Sequence, residues 1–292
     1  MQSNRRRIKY IKRKRQVQRQ IMLLSWLLLF LVAILVSCYA RKTRTQSEAR
    51  QVVQAEKPGG SGKTKKIDVE VETPEEKAGR VKAEAVKKGY PDELIEMVSK
   101  NTDTADFVDH YSEKKDEPAA DDIGDALEGE GKIPQLYQWD ERWGYASYGT
   151  SIIAVSGCGP TCMAMVASGL TNDPSITPAK VGEYSMANGY VDENNSTYWR
   201  FMKEAASNWN LSCYDAQLTE EQVKEELMDG HPIICSMAPG DFTDNGHFIV
   251  LTGYEDGSVK VNDPFRRKNS EKMWVFADIA DQIRAMWIYS VD

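Results

Sequence analysis

The sequence predicts an α+β domain, with helices first and an antiparallel sheet after them. Three observations carry that reading. Helix-start signals cluster between Pro160 and Gln222, strand-like apolar runs cluster between Pro232 and Ser290, and the two groups do not alternate. The large residues of a core gather in the same half. Six of the seven tryptophans lie at or beyond Trp139, and four of the five cysteines lie at or beyond Cys158. The packed domain is therefore expected at 132–292, long enough to bury one sizeable core.

The elements follow in order. Pro160 opens a helix expected over 160–169, Pro178 after Thr177 opens another, and Thr197 to Asn208 has the composition of a third. Thr219-Glu220-Glu221-Gln222 is a capping box that starts a fourth. Strands are expected at 232–237, 247–254, 258–262 and 286–290, with Asp256-Gly257 as a hairpin turn between the second and third.

Charge is segregated along the chain. The net value is −7, yet residues 1–44 hold 12 Lys and Arg and no acid, which leaves 25 basic against 44 acidic residues, or −19, beyond them. No broad basic surface remains in the body, so nucleic acid is set aside as a partner. Residues 21–40 form an uncharged run of 20. As a helix the run would span about 30 Å, the thickness of a bilayer hydrocarbon core. Nine Lys and Arg precede it and three follow, so the tail 1–20 is expected in the cytoplasm and the C-terminal body outside. A shorter apolar core would be usual for a cleaved signal peptide, which favours an uncleaved single-span anchor. Leu35-Val36-Ser37-Cys38 also resembles a bacterial lipoprotein cleavage box that would acylate Cys38. Both versions place the body outside.

Residues 41–72 are poor in large apolar groups and contain Lys57-Pro58-Gly59-Gly60-Ser61-Gly62, the composition of a flexible linker. Residues 73–131 are expected as a helical and acidic stalk. In it, Pro91 opens a helix with Leu94, Ile95 and Val98 on one face, and Phe107, Val108 and Tyr111 mark a second short helix. That apolar stripe favours docking on the main domain over a free stalk. Residues 112–131 read as another linker.

Chemistry centres on one cysteine. The spacings of Cys158, Cys162, Cys213 and Cys235 match neither a disulfide framework nor a zinc site, and neither metal nor cofactor is expected. Cys162, Cys213 and Cys235 read as small buried hydrophobes. Cys158 stands in Ser156-Gly157-Cys158-Gly159-Pro160-Thr161, just before a helix. There the unsatisfied N–H groups and the dipole favour thiolate, and the flanking glycines leave room for a substrate backbone. On position alone, this reading and a turn that merely contains cysteine weigh about equally.

A nucleophilic cysteine needs a base. His110 lies in the acidic segment and His231 in a turn before Pro232, whereas His247 opens the apolar strand at 247–254. Asp263, in Asn262-Asp263-Pro264, ends the next strand and offers a carboxylate to orient the ring. A two-residue turn would leave the pair about three residue rises, or roughly 10 Å, out of register. Contact therefore requires a bulge or a longer turn.

These segments, taken together, carry a resemblance. Ile133-Pro134 through Gln138-Trp139-Asp140, then Gly157-Cys158-Gly159-Pro160-Thr161, Gly246-His247-Phe248 and Asn262-Asp263-Pro264 resemble the papain-fold cysteine peptidases related to bacteriocin-processing, double-glycine leader peptidases. The likeness covers about 133–290 with every motif in order. It implies a papain-like α+β fold with Cys158 as nucleophile, His247 as general base and Asp263 as orienting acid. It also implies Gln138 as the side-chain donor of an oxyanion hole, with Gln135 its nearest competitor. Gln138 lies 20 residues before Cys158, farther than in papain relatives. Relatives that cut double-glycine leaders are usually fused to a transporter, so that substrate is not inherited. The expectation is a membrane-anchored extracytoplasmic peptidase acting on peptide or isopeptide bonds through a thioester. A tethered binding module without turnover and a cell-wall amidase or transamidating enzyme are the alternatives.

Overall fold

The computed structural model describes residues 72–291, with 128 and 130 left out. The expected basic tail, the anchor at 21–40, Cys38 and nearly all of the 41–72 linker lie outside the described residues. Among the described residues, no helix is long and apolar enough to cross a membrane.

The chain enters through two helices, α1 (Pro74–Lys88) and α2 (Asp92–Lys100). A reciprocal capping box between Thr73 and Glu76 starts α1, and Gly89 ends it in the left-handed conformation at φ 67°. Pro91 precedes α2, with Asp92 and Glu93 in its first turn. A single turn of 3₁₀-helix and the short helices Ala105–Asp109 and Tyr111–Lys114 follow. These elements are docked. Val81, Leu94, Val98, Phe107 and Val108 share a buried cluster with Tyr145 and Ala154. Phe107 stacks on Tyr145 with centroids 4.1 Å apart, and the Tyr145 hydroxyl donates to the Phe107 carbonyl at 2.8 Å. The stretch 112–131 is also pinned: Ile123 is fully buried and its N–H bonds the Pro174 carbonyl at 2.9 Å. Its composition is that of a linker, but Ile123 with Ala119, Ala126 and Leu127 packs on the core, and Ala120 N–H bonds the Arg142 carbonyl at 2.7 Å.

The central helix α3 (Cys158–Thr171) is buried along most of its length. It begins two residues before Pro160. The proline sits in the first turn, where its missing N–H costs nothing because that N–H has no intrahelical acceptor. Helix α4 (Pro178–Ala187) is capped by the Thr177 hydroxyl, and α5 (Glu220–Met228) by that of Thr219. The third expected helix is broken into Arg200–Glu204 and a 3₁₀ turn, Ala206–Trp209, closed by left-handed Asn210. Ser207 and Asn208 are weak helix formers, which fits a tightened ending.

The second half supplies a six-stranded antiparallel sheet. Its strands are β1 (Ser212–Asp215), β2 (Ile233–Met237), β3 (His247–Glu255), β4 (Ser258–Asn262), β5 (Met273–Val275) and β6 (Ile283–Ser290). The spatial order is β1-β6-β2-β3-β4-β5. Strands β2, β3 and β6 are nearly all apolar because both faces of the sheet are covered. One face packs on α3, α4 and the aromatic residues Trp143, Tyr148 and Phe201. The other packs on α5 and the Phe276–Ile279 turn. The helical half followed by an antiparallel sheet is the α+β fold the sequence predicts.

Candidate active site

Cys158 is the first residue of α3, so its sulfur stands at the helix N-terminus. Both neighbouring glycines are demanded by packing. A Cβ on Gly157 would lie 2.5 Å from the Ile153 carbonyl oxygen, and one on Gly159 would lie 2.6 Å from the Thr197 hydroxyl. Both glycines thus let the helix start sit against its own scaffold.

His247 is the first residue of β3 and Asp263 follows the last residue of β4. The turn at Asp256-Gly257 pairs Glu255 with Ser258, but the register shifts between Leu251 and Gly253, so Val250 faces Asn262. That bulge brings Asp263 one residue closer to His247, as contact requires. The chain leaves the sheet after Asn262, and the side chains close the remaining gap: His247 Nε2 lies 2.9 Å from Asp263 Oδ1. An ionised carboxylate only accepts, so Nε2 carries the proton and Nδ1 is left for the thiol. Cys158 and His247 line the same cleft.

Asp263 is wholly buried. Its Oδ1 also accepts from the N–H groups of Phe265 at 2.8 Å and Arg266 at 3.1 Å, and its Oδ2 accepts from Asn269 Nδ2 at 2.7 Å. Burial pushes this carboxyl up, but the charge of His247 and the four donated bonds outweigh it and hold the group below its ordinary 3.8. Burial likewise pulls His247 down, and the Asp263 carboxylate, with a smaller contribution from Cys158, overcomes it and raises the imidazole above its ordinary 6.5. Asn269 escapes sequence reasoning because a lone asparagine six residues on carries no pattern. The bond from Phe265 to Asp263 is an Asx-type turn, and Asp-Pro-x is its one local signal.

The remaining cysteines are set apart. Burial pushes the Cys162 and Cys235 thiols well up and that of Cys213 to about 12. His110 and His231 each pair with a glutamate, Glu141 and Glu226, away from Cys158. Tyr198 and Trp199, which a helical position would usually bury, are 44% and 50% exposed and lie outside the cleft.

Gln138 is 3% exposed and lines the same cleft as Cys158 and His247. Its Nε2 donates to the Ala154 carbonyl at 2.7 Å and approaches that of Val155 at 3.3 Å, while its Oε1 is buried without a partner. Gln135 is elsewhere. Its Nε2 donates to the Asp263 carbonyl at 3.0 Å, so it braces the loop rather than facing the thiol.

The cleft has a volume of about 220 Å³. Cys158, Gln138 and His247 form its floor, with Phe242 to Gly246 on one side and Phe265 and Arg266 on another. A further wall comes from α2, through Glu93, Glu96, Met97 and Lys100. Asn101 Nδ2 and Trp139 Nε1 both donate to the Phe265 carbonyl, at 2.6 and 2.8 Å, which ties α2 to the loop that holds Asp263.

A thiol at a helix start, an imidazole at a strand start and a buried carboxylate, carried by helices followed by an antiparallel sheet, define a papain-like cysteine peptidase arrangement. The chain belongs to the Peptidase_C39 like family, whose model matches residues 131–291. Among solved structures it is similar to the peptidase domain of Streptococcus ComA, a bifunctional ABC transporter of a quorum-sensing pathway. That likeness has 17% identity and a TM-score of 0.36, over 47% of this chain and 92% of the other. A Bacillus anthracis protein described as a C39-like peptidase matches at 16% identity and a TM-score of 0.34, over 56% of this chain and 96% of that one. No curated protein matches the sequence.

Proposed function

We propose that this chain is a cysteine peptidase that hydrolyses peptide or isopeptide bonds through a thioester on Cys158. The observation that carries the reading is that Cys158 and His247 line one cleft, with His247 Nε2 2.9 Å from the buried Asp263 behind it. Nδ1 of His247 takes the thiol proton, and the sulfur attacks the substrate carbonyl carbon. The C–N bond then breaks, the imidazolium returns the proton to the departing amine, and a thioester remains. Water attacks the thioester with His247 again as base, releasing the acid and restoring the thiol. Asp263 holds the ring in the required tautomer and balances its charge.

The oxyanion formed at each attack faces the Cys158 N–H, which as the first N–H of a helix has no intrahelical acceptor. Gln138 is the second donor. Its hydrogen bond to Ala154 is short, but the 3.3 Å approach to Val155 is beyond the ordinary N–H···O range, so one amide N–H is the one to turn toward substrate. Residues 21–40 would anchor the enzyme, with the basic residues before them keeping the tail in the cytoplasm and the catalytic body outside.

The test uses a degenerate peptide pool and a pool of cell-wall peptides, with wild type beside Cys158→Ala. Cleavage by wild type alone is the expected result. Cleavage of neither pool would overturn the hydrolase reading in favour of a binding module, and release confined to the cell-wall pool would move the substrate to peptidoglycan cross-links. Iodoacetamide should alkylate Cys158 much faster than Cys162, Cys213 and Cys235, and His247→Ala should abolish that fast phase.

A further inference from the structure

The family match begins at residue 131, yet four residues of the cleft wall come from α2, some forty residues earlier in the chain. This wall is a fixed part of the protein rather than a removable lid. Leu94, Met97 and Val98 are buried against the domain, and Asn101 bonds the Phe265 carbonyl at 2.6 Å. A second recess of about 140 Å³ lies at the start of α2. Glu93 and Val155 line both spaces, so the two adjoin along that edge.

The recess is lined by Pro91, Leu94, Tyr111, Ile152 and Val155 together with the hydroxyl residues Thr150 and Ser151, and Glu93 is the one charged residue that lines it. Its carboxylate is exposed and makes no hydrogen bond or ion pair among the described residues. The other charges of the cleft are placed differently. Glu96 is neutralised by Lys100 at 2.7 Å, and Asp244 and Arg266 line the catalytic cleft without reaching the recess. A recess of apolar walls and two hydroxyl residues, with a free carboxylate where it meets the cleft, suits a hydrocarbon stem with a cationic end.

We propose that this recess is a specificity subsite that receives a lysine or arginine side chain of the peptide substrate, with Glu93 as the residue that recognises its charge. The proposal rests on the peptidase reading and deepens it by naming the substrate class. It also explains why the segment before the family domain is docked over the site.

Two measurements test it on the full chain, one with turnover and one without. In the first, a peptide pool is digested and the cleaved bonds are sequenced, with matched substrates carrying lysine or uncharged norleucine at the enriched position. Wild type should favour lysine at one fixed position. Glu93→Gln should lower kcat/KM for the lysine peptide about three- to tenfold and leave the norleucine peptide nearly unchanged. Glu93→Lys should turn the preference toward glutamate. Cleavage without a basic preference, or a lysine-to-norleucine ratio unmoved in Glu93→Gln, overturns the subsite while leaving the peptidase intact. In the second, the same peptides protect Cys158 from iodoacetamide. Stronger protection by lysine than by norleucine peptides, lost in Glu93→Gln, supports the subsite even if no peptide is cut, whereas equal protection overturns it.

Discussion

Replacing Asp263 with asparagine tests the centre of the site with the loss of one charge and almost no change in shape. Asp263 is completely buried and accepts four N–H groups, three at Oδ1 from His247, Phe265 and Arg266 and one at Oδ2 from Asn269. An asparagine has one acceptor oxygen. Turned one way, its NH₂ meets the Asn269 NH₂ across the present 2.7 Å contact; turned the other way, it meets three donors. The variant therefore leaves at least one buried donor unsatisfied and removes the carboxylate that offsets the charge of the His247 ring whenever it is protonated. Together these cost about 3 kcal/mol. For a unit of this size that is a fall in Tm of roughly 6–12 °C.

The pH dependence of that loss follows from the two shifts. His247 is raised above 6.5, so its contribution is complete below that value and disappears as pH rises through the raised pKa. Asp263 is lowered below 3.8, so its contribution is complete above that value and disappears as pH falls through the lowered pKa. The gap between wild type and Asp263→Asn is thus widest between those ordinary values and narrows on the alkaline side. Thermal melts across pH measure the gap, and the imidazole proton resonance follows His247 directly. In the variant burial is opposed only by the smaller contribution of Cys158, so His247 should titrate below its wild-type position. A Tm equal to that of wild type at all pH values, with His247 still raised, would refute the ion-pair reasoning.

Gln138→Ala should lower kcat/KM by about 10²–10³ while sparing rapid alkylation of Cys158, because alkylation forms no oxyanion; equal loss of both would make Gln138 a packing residue only. Gly159→Ala drives a methyl to 2.6 Å from the Thr197 hydroxyl at the helix start. It should destabilise the protein by about 1–3 kcal/mol in urea unfolding and slow Cys158 alkylation. Deleting 73–111 strips the cover from Tyr145 and Ala154, so the truncated chain should melt several degrees lower; an unchanged Tm would mean that the docked helices add no stability.

The candidate nucleophile was legible because its signals are local. A cysteine between two glycines and before a proline marks a helix start, and a helix start has the same unsatisfied N–H groups in any fold. His247 and Asp263 were legible through strand pairing, and the required bulge could be anticipated by counting residues from the turn. Gln138 was legible only by resemblance. Which carbonyls hold its amide depends on where Ala154 and Val155 lie, and nothing in its own neighbours states that. The helix beginning at Cys158 rather than Pro160 shows the limit of a single punctuating residue, since a first-turn proline fits several starting points equally well.

By itself, then, the sequence determined the order of helices and strands and the segregation of charge, and it singled out Cys158, His247 and Asp263 as candidates for one site. Each of these depends on periodicity, backbone preference or a short count along the chain. Tertiary structure alone decided that α2 forms a wall of the cleft, that Glu93 stands at a second recess, and that Asn269 completes the shell of Asp263. Those contacts join residues far apart in the chain or turn on how a loop folds back. The place of α2 follows from burying the apolar faces of the first helices in one cluster with Tyr145 and Ala154.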